Sequence, residues 1–142
     1  MRKTGRLPLL LGLLLLPALA QGEAAVRGTV VFEHGAPSPE HRAIQKMLEA
    51  YVVAIETRDL ALFRSAKPNL SAEEERRVKK AFESVQSQVV EITVQSAELG
   101  ETEATLKVKR RDTINGSIVS SFPQTFSLAK AKGGWSIQDI GR

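Results

Sequence analysis

Cysteine is absent from the 142 residues. That excludes a disulfide framework, a thiolate nucleophile and every cysteine-ligated zinc or iron–sulfur site. Histidine occurs only twice, at His34 and His41. With Glu40 they could supply three ligand atoms, but a spacing of seven with Pro37 and Pro39 in between matches no metal-binding pattern. Neither a metal nor a cofactor is expected. No glycine-rich loop runs into a lysine-bearing helix, since Gly133-Gly134 is a turn followed by strand-like residues, so a phosphate cradle is excluded. Aromatic residues are 5% of the chain, and none interleaves with Lys107, Lys109, Arg110 and Arg111. The stacking platform of single-stranded nucleic-acid binding is missing. No segment repeats at a fixed period, and no Ser–His–acid order suggests a hydrolase.

A basic head with Arg2, Lys3 and Arg6 precedes the leucine-rich run from Leu7, which ends in Ala18-Leu19-Ala20. This is the pattern of a secretory signal, cleaved after Ala20. The run is too short, and twice broken by proline, for the ~20 apolar residues of a membrane span. The chain carries 20 basic and 16 acidic residues. Three of the bases and none of the acids lie in the signal, so the exported chain is close to neutral, and its charge argues for no nucleic-acid partner. The expected location is periplasmic or secreted. The remaining length suits one domain with a core that needs no cross-links.

Residues 21–37 read as a leader or a short strand, with β-branched Val26 to Phe32 among glycines. Ser38-Pro39-Glu40 opens a helix: serine caps, proline fits the first turn, and the acid suits the positive helix end. Ile44, Met47, Leu48, Tyr51, Val52 and Ile55 form its apolar stripe, with Glu40, Arg42, Gln45, Lys46, Glu49 and Glu56 on the other side. The helix ends near Arg58-Asp59, and Leu60 to Phe63 reads as a short second helix. Ser71-Ala72-Glu73-Glu74 is a capping box ahead of a third, with stripe residues Val78, Ala81, Phe82 and Val85. Glu73 with Arg77, and Glu75 with Lys79, are spaced for ion pairs along that helix.

From Gln88 the period changes to two. Val90, Ile92 and Val94 share a face; so do Ala104, Leu106 and Val108. Asn115-Gly116 predicts a tight hairpin turn. A long strand follows from Ile118, with a bulge or an edge at Pro123, which cannot donate a ladder hydrogen bond. Trp135, Ile137 and Asp139 share one face of the last strand. The expected fold class is α+β: helices first, then an antiparallel meander of four strands with the helices on one face.

Ile44-x-x-x-Leu48-x-x-Tyr51-x-x-Ala54-Ile55-x-x-x-Asp59-Leu60, followed by the meander and a closing Gly134-Trp135-Ser136-Ile137-x-Asp139-Ile140, resembles the nuclear transport factor 2-like superfamily, also called SnoaL-like or cystatin-like. The resemblance covers 38–142. It implies a curved sheet wrapped around the long helix, a cone whose mouth is often a ligand pocket. Isomerases, dehydratases, cyclases and non-catalytic modules share that fold, so it does not choose an activity. In isomerase-like members a carboxylate follows soon after the helices and works with a helix tyrosine. Tyr51 sits where that tyrosine is expected, but Arg64 to Leu70 contains no acid. Cyclases and dehydratases imply a His–Asp pair, and neither histidine falls on a cavity wall.

These residues lead to an exported, non-catalytic binding or interaction domain, holding a small apolar or amphipathic ligand or a protein partner. Tyr51, Arg110, Gln124, Trp135 and Asp139 are the candidate ligand-binding residues. Arg110 shares a face with Leu106 and Val108, and Gln124 with Phe122 and Phe126, which places polar groups among apolar ones as a ligand pocket requires. Two alternatives stand: an isomerase- or dehydratase-type enzyme using Tyr51 with Asp139 or Arg110, and a structural homodimer packed through the sheet. Lys107, Lys109 and Arg111 face the other side, as solvation and edge protection or as a contact for an anionic surface.

Overall fold

The computed structural model describes residues 27–34 and 38–142. The export signal read in 1–20, and the remainder of 21–26 and 35–37, lie outside the described residues. Five strands and three helices follow in the order β1 (Thr29–Phe32), α1 (Pro39–Thr57), α2 (Leu60–Ala66), α3 (Ala72–Ser84), β2 (Gln88–Leu99), β3 (Glu103–Ile114), β4 (Ile118–Ala131) and β5 (Gly134–Gly141).

The sheet order is β1-β2-β3-β4-β5. The four-strand meander is present, and the short strand of 21–37 adds a fifth member, parallel to β2 with Val30 opposite Ile92. Gly28 makes this docking possible. Its φ is +59°, and a Cβ there would lie 2.9 Å from Val53 Cγ2 on α1, so only glycine fits both the conformation and the gap.

The helices start where their caps dictate. Ser38 Oγ accepts from the His41 amide, and Arg58 closes α1 in the left-handed conformation. Ser71 and Glu74 form the reciprocal capping box of α3; the cap hydroxyl contributes about 1 kcal/mol. Asn115 and Gly116 both take positive φ, as the tight turn demands, and Asn115 Oδ1 accepts from the Gln86 and Ser87 amides. That contact ties the β3–β4 hairpin to the end of α3.

Ile44, Leu48, Val52 and Ile55 of α1 pack onto Ile92, Leu106, Phe126 and Ile137 of the sheet in one buried cluster. Each such side chain contributes roughly 1.5–3 kcal/mol through the apolar surface removed from water. Gln95 is an extra residue in β2, and Gln138 an extra residue in β5. Such bulges bend the strands that carry them.

Two sequence expectations need correction, at Glu56 and at Asp139. Glu56, assigned to the solvent side of α1, is 6% exposed. Its Oε1 accepts from the amides of Arg27 and Gly28, and its Oε2 from the amide of Val90. The stripe at its end widens because β1 and β2 both begin there and need an acceptor for unpaired N–H groups. At Pro123 the edge, not the bulge, of the two expected arrangements is present: β4 pairs with β3 without interruption from Ile118 to Ala129. β5 reaches back only to Thr125, so the missing donor lies on an open stretch of edge. The bulge at Gln138 reverses the side-chain alternation after Ile137. Ile140, not Asp139, therefore turns inward and packs on the core, and Asp139 is exposed.

Candidate ligand cavity at the cone mouth

The wide end of the cone lies between the C-terminal half of α1, the hairpin end of β3 and the underside of α3. Tyr51 reaches it from α1, buried at 3% exposure. Its ring meets Phe63 and Phe126 at centroid distances of 5.3 and 5.8 Å. Arg110 enters from the inner face of β3, where strand alternation put it. Its Nη1 donates to the Tyr51 hydroxyl oxygen at 3.3 Å. Its Nε and Nη2 grip Asp112 in a bidentate pair at 2.6 and 2.8 Å, and Phe122 lies under its guanidinium at 5.7 Å. Gln88 Nε2 donates to Asp112 Oδ2 at 2.8 Å.

Each polar group in this chain answers another. Asp112, buried, accepts three hydrogen bonds from side chains, so its carboxylate is held in place rather than offered as a base. Arg110 and Asp112 cancel in charge within a partly dry site, where an unmatched charge would be costly. Burial pushes the Tyr51 phenol above its ordinary value, against the pull of Arg110. Burial alone would lower the Arg110 guanidinium; the hydrogen bonds it donates to Asp112 and the neighbouring charges outweigh this and hold the value up. The site is thus a neutral tyrosine whose oxygen is already served by Arg110, leaving its own proton to donate.

A cavity of about 180 Å³ opens against these residues, walled also by Ile55, Phe63, Val78, Ala81 and Phe82. A groove of about 300 Å³ adjoins it on the other flank of α3, sharing Phe63, Val78 and Ala81. α3 roofs both while burying none of its residues. It is pinned from below by Phe82 against Phe63 and at its edge by a bidentate contact from Arg64 to Glu75.

The five sequence candidates therefore separate. Tyr51 and Arg110 meet. Gln124 sits on the same inner face, one strand from Val108, with its Oε1 buried and without a hydrogen-bond partner among the described residues. Asp139 faces outward and lines the adjoining groove, so it is not the carboxylate beside Tyr51. Trp135 is at the opposite end: its indole N–H donates to Glu40 at the start of α1, eleven residues or roughly 16 Å along the helix from Tyr51. Lys130 closes the same contact with Glu40 at 2.9 Å. The carboxylate that does reach the site, Asp112, was missed by sequence reading, as was Gln88. Their strand positions were the available signal: Asp112 shares parity with Arg110 two residues earlier.

Among the described residues no group of three or more histidine or acid side chains could hold a metal. His41 Nδ1 is bonded to Ser38 Oγ, and His34 pairs with Glu33. No helix among the described residues is long and apolar enough to cross a membrane.

No family model matches the sequence, and no curated protein does. Solved structures do match in fold. A dehydratase candidate of the nuclear transport factor 2-like family from Streptomyces avermitilis superposes with a TM-score of 0.63 at 10% identity, over 74% of this chain and 96% of the other. A domain of unknown function with a cystatin-like fold from Nostoc punctiforme gives 0.61 at 15% identity, over 74% and 76%. Bd1075 of Bdellovibrio bacteriovorus gives 0.61 at 12% identity; 70% of this chain matches, spanning 38% of that larger one. The chain has the nuclear transport factor 2-like fold: helices cradled by a curved, mostly antiparallel sheet. At these identities the likeness concerns the fold and carries no activity with it.

Proposed function

We propose that the chain is an exported, non-catalytic binding domain that holds a small, uncharged, largely apolar molecule at the cone mouth. The observation that carries this reading is the closed set Tyr51–Arg110–Asp112–Gln88 beside an apolar cavity of about 180 Å³. The cancelled charge of Arg110 and Asp112 favours a neutral occupant. The free phenol proton of Tyr51 favours one with a single acceptor, such as a carbonyl or ether oxygen. The volume suits roughly a substituted six-membered ring, since about 150 Å³ of dry cavity accepts benzene. Native mass spectrometry of the protein from its own host tests this. A retained small molecule that Tyr51→Phe releases supports the reading, and a bare chain argues against it. N-terminal sequencing of the exported form should begin at Gln21.

A second reading, an isomerase- or dehydratase-type enzyme, is favoured by one feature: a carboxylate one residue removed from the tyrosine, with Arg110 between them. Asp112→Asn separates the two readings. An enzyme would lose turnover while retaining its ligand, whereas a binder would change in affinity alone. A homodimer packed through the outer sheet face is weighed against by Lys107, Lys109 and Arg111, which such packing would set against their own copies.

A further inference from the structure

The cation row on the outer face has no part in the cavity. Lys107, Lys109 and Arg111 project from alternate positions of β3 and are exposed, about 7 Å apart by the strand rise. None of the three side chains has a hydrogen-bond or ion-pair partner among the described residues. Edge protection, the usual reason for such a row, does not apply: β3 is the middle strand of five, paired along both sides.

The neighbours of the row are mostly hydroxyls. Lys107 lies between Ser96 and Thr125, Lys109 between Thr93 and Pro123, and Arg111 between Glu91 and Ser121. A shallow groove of about 450 Å³ runs among Glu91, Thr93, Lys109, Arg111, Val119 and Ser121. Two acids share the face beside the row, Glu91 opposite Arg111 and Glu98 one pair beyond Lys107, so three cations meet two carboxylates and the row keeps a positive excess. No aromatic ring lies on it to stack a base, its exposed apolar side chains are scattered (Val119 at one end, Pro123 beside Lys109 and Val31 beyond Thr93), and the backbone beneath has no spare donors for an added peptide strand.

We propose that this face binds an acidic polysaccharide, whose carboxylate or sulfate groups meet the three cations and whose hydroxyls meet Ser96, Thr125, Thr93 and Ser121. The test is retention of the folded protein on immobilised polygalacturonate and on heparin. Polyglutamate and phosphatidylglycerol vesicles serve as the rival anions. Three ionic contacts predict an affinity that falls about twentyfold between 50 and 200 mM salt. The triple variant Lys107→Gln, Lys109→Gln, Arg111→Gln should bind at least tenfold more weakly with a flat salt response. Lys79→Gln with Lys80→Gln on α3, which removes almost as much charge elsewhere, should change binding less than twofold. Trp135 fluorescence on urea unfolding verifies that each variant is folded. Failure to bind either glycan at 50 mM salt, equal loss in the α3 control, or tighter binding to polyglutamate or to vesicles would overturn the proposal.

Discussion

Glu56 offers the sharpest test of how this fold is fastened. Its carboxylate accepts three backbone amides, two from the approach to β1 and one from Val90 in β2. Hydrogen bonds to a charged acceptor are each worth about 1.5–3 kcal/mol net, and an abandoned buried donor costs about 1–3 kcal/mol. In Glu56→Ala the Val90 amide is left buried without a partner, while the Arg27 and Gly28 amides, only partly buried, recover some hydration. The expected loss is about 4 kcal/mol. Glu56→Gln keeps the shape and can still serve Arg27 and Gly28 with its oxygen, but it turns an N–H₂ group towards the Val90 N–H. About 2 kcal/mol should be lost, or roughly 8–10 °C in Tm. Urea unfolding followed by Trp135, with an unchanged m value, measures the difference. Amide exchange should show protection falling first across Thr29–Phe32, because that strand has the fewest other attachments. A Gln variant within 0.5 kcal/mol of the parent, or β1 amides as protected as before, would refute the account.

The single tyrosine makes the cavity observable. In absorbance titration Tyr51 should ionise above its ordinary value of about 10 in the folded protein and near 10 in denaturant, because burial disfavours the phenolate. A raised folded value means that the unfolded chain releases the proton first. The contribution of Tyr51 to stability is therefore intact below about pH 10 and is lost as pH climbs through the raised value; coincident titrations would disprove its burial. Asp112→Asn, which leaves the Arg110 guanidinium without its charge partner, should cost about 3 kcal/mol by denaturant unfolding. Arg110→Met with Asp112→Leu should recover at least half of that, and a double variant worse than the single would contradict the cancellation of charge. Glu74 is held below the ordinary carboxylate range chiefly by the Ser71 amide, and Glu75 by the Arg64 hydrogen bond. Their stabilising effect is present above about pH 4.5 and lost on acidification, so exchange of α3 amides should accelerate below that pH before the sheet loosens. Trp135→Phe should leave ligand retention unaltered, since its hydrogen bond to Glu40 lies at the far end of α1.

Much of this protein was determined by local chemistry alone. Ser38 with Pro39, the Ser71–Glu74 box, Asn115-Gly116 and the change of period at Gln88 each act within a few residues, so they mark helix starts, a turn and strand faces directly. Strand alternation likewise placed Arg110 inside and Lys109 outside. The tertiary structure decided what depends on distant partners. Glu56 is polar by composition but becomes an inner residue, since two strand beginnings, 28 and 34 positions away from it, lack acceptors. Asp139 lost its inner face to a single extra residue at Gln138, because one insertion inverts every later side chain and pairing alone reveals it. Asp112 joined the polar chain behind the cavity only when β3 and α1 brought it and Tyr51 to the same guanidinium, a meeting that spacing along one chain does not encode.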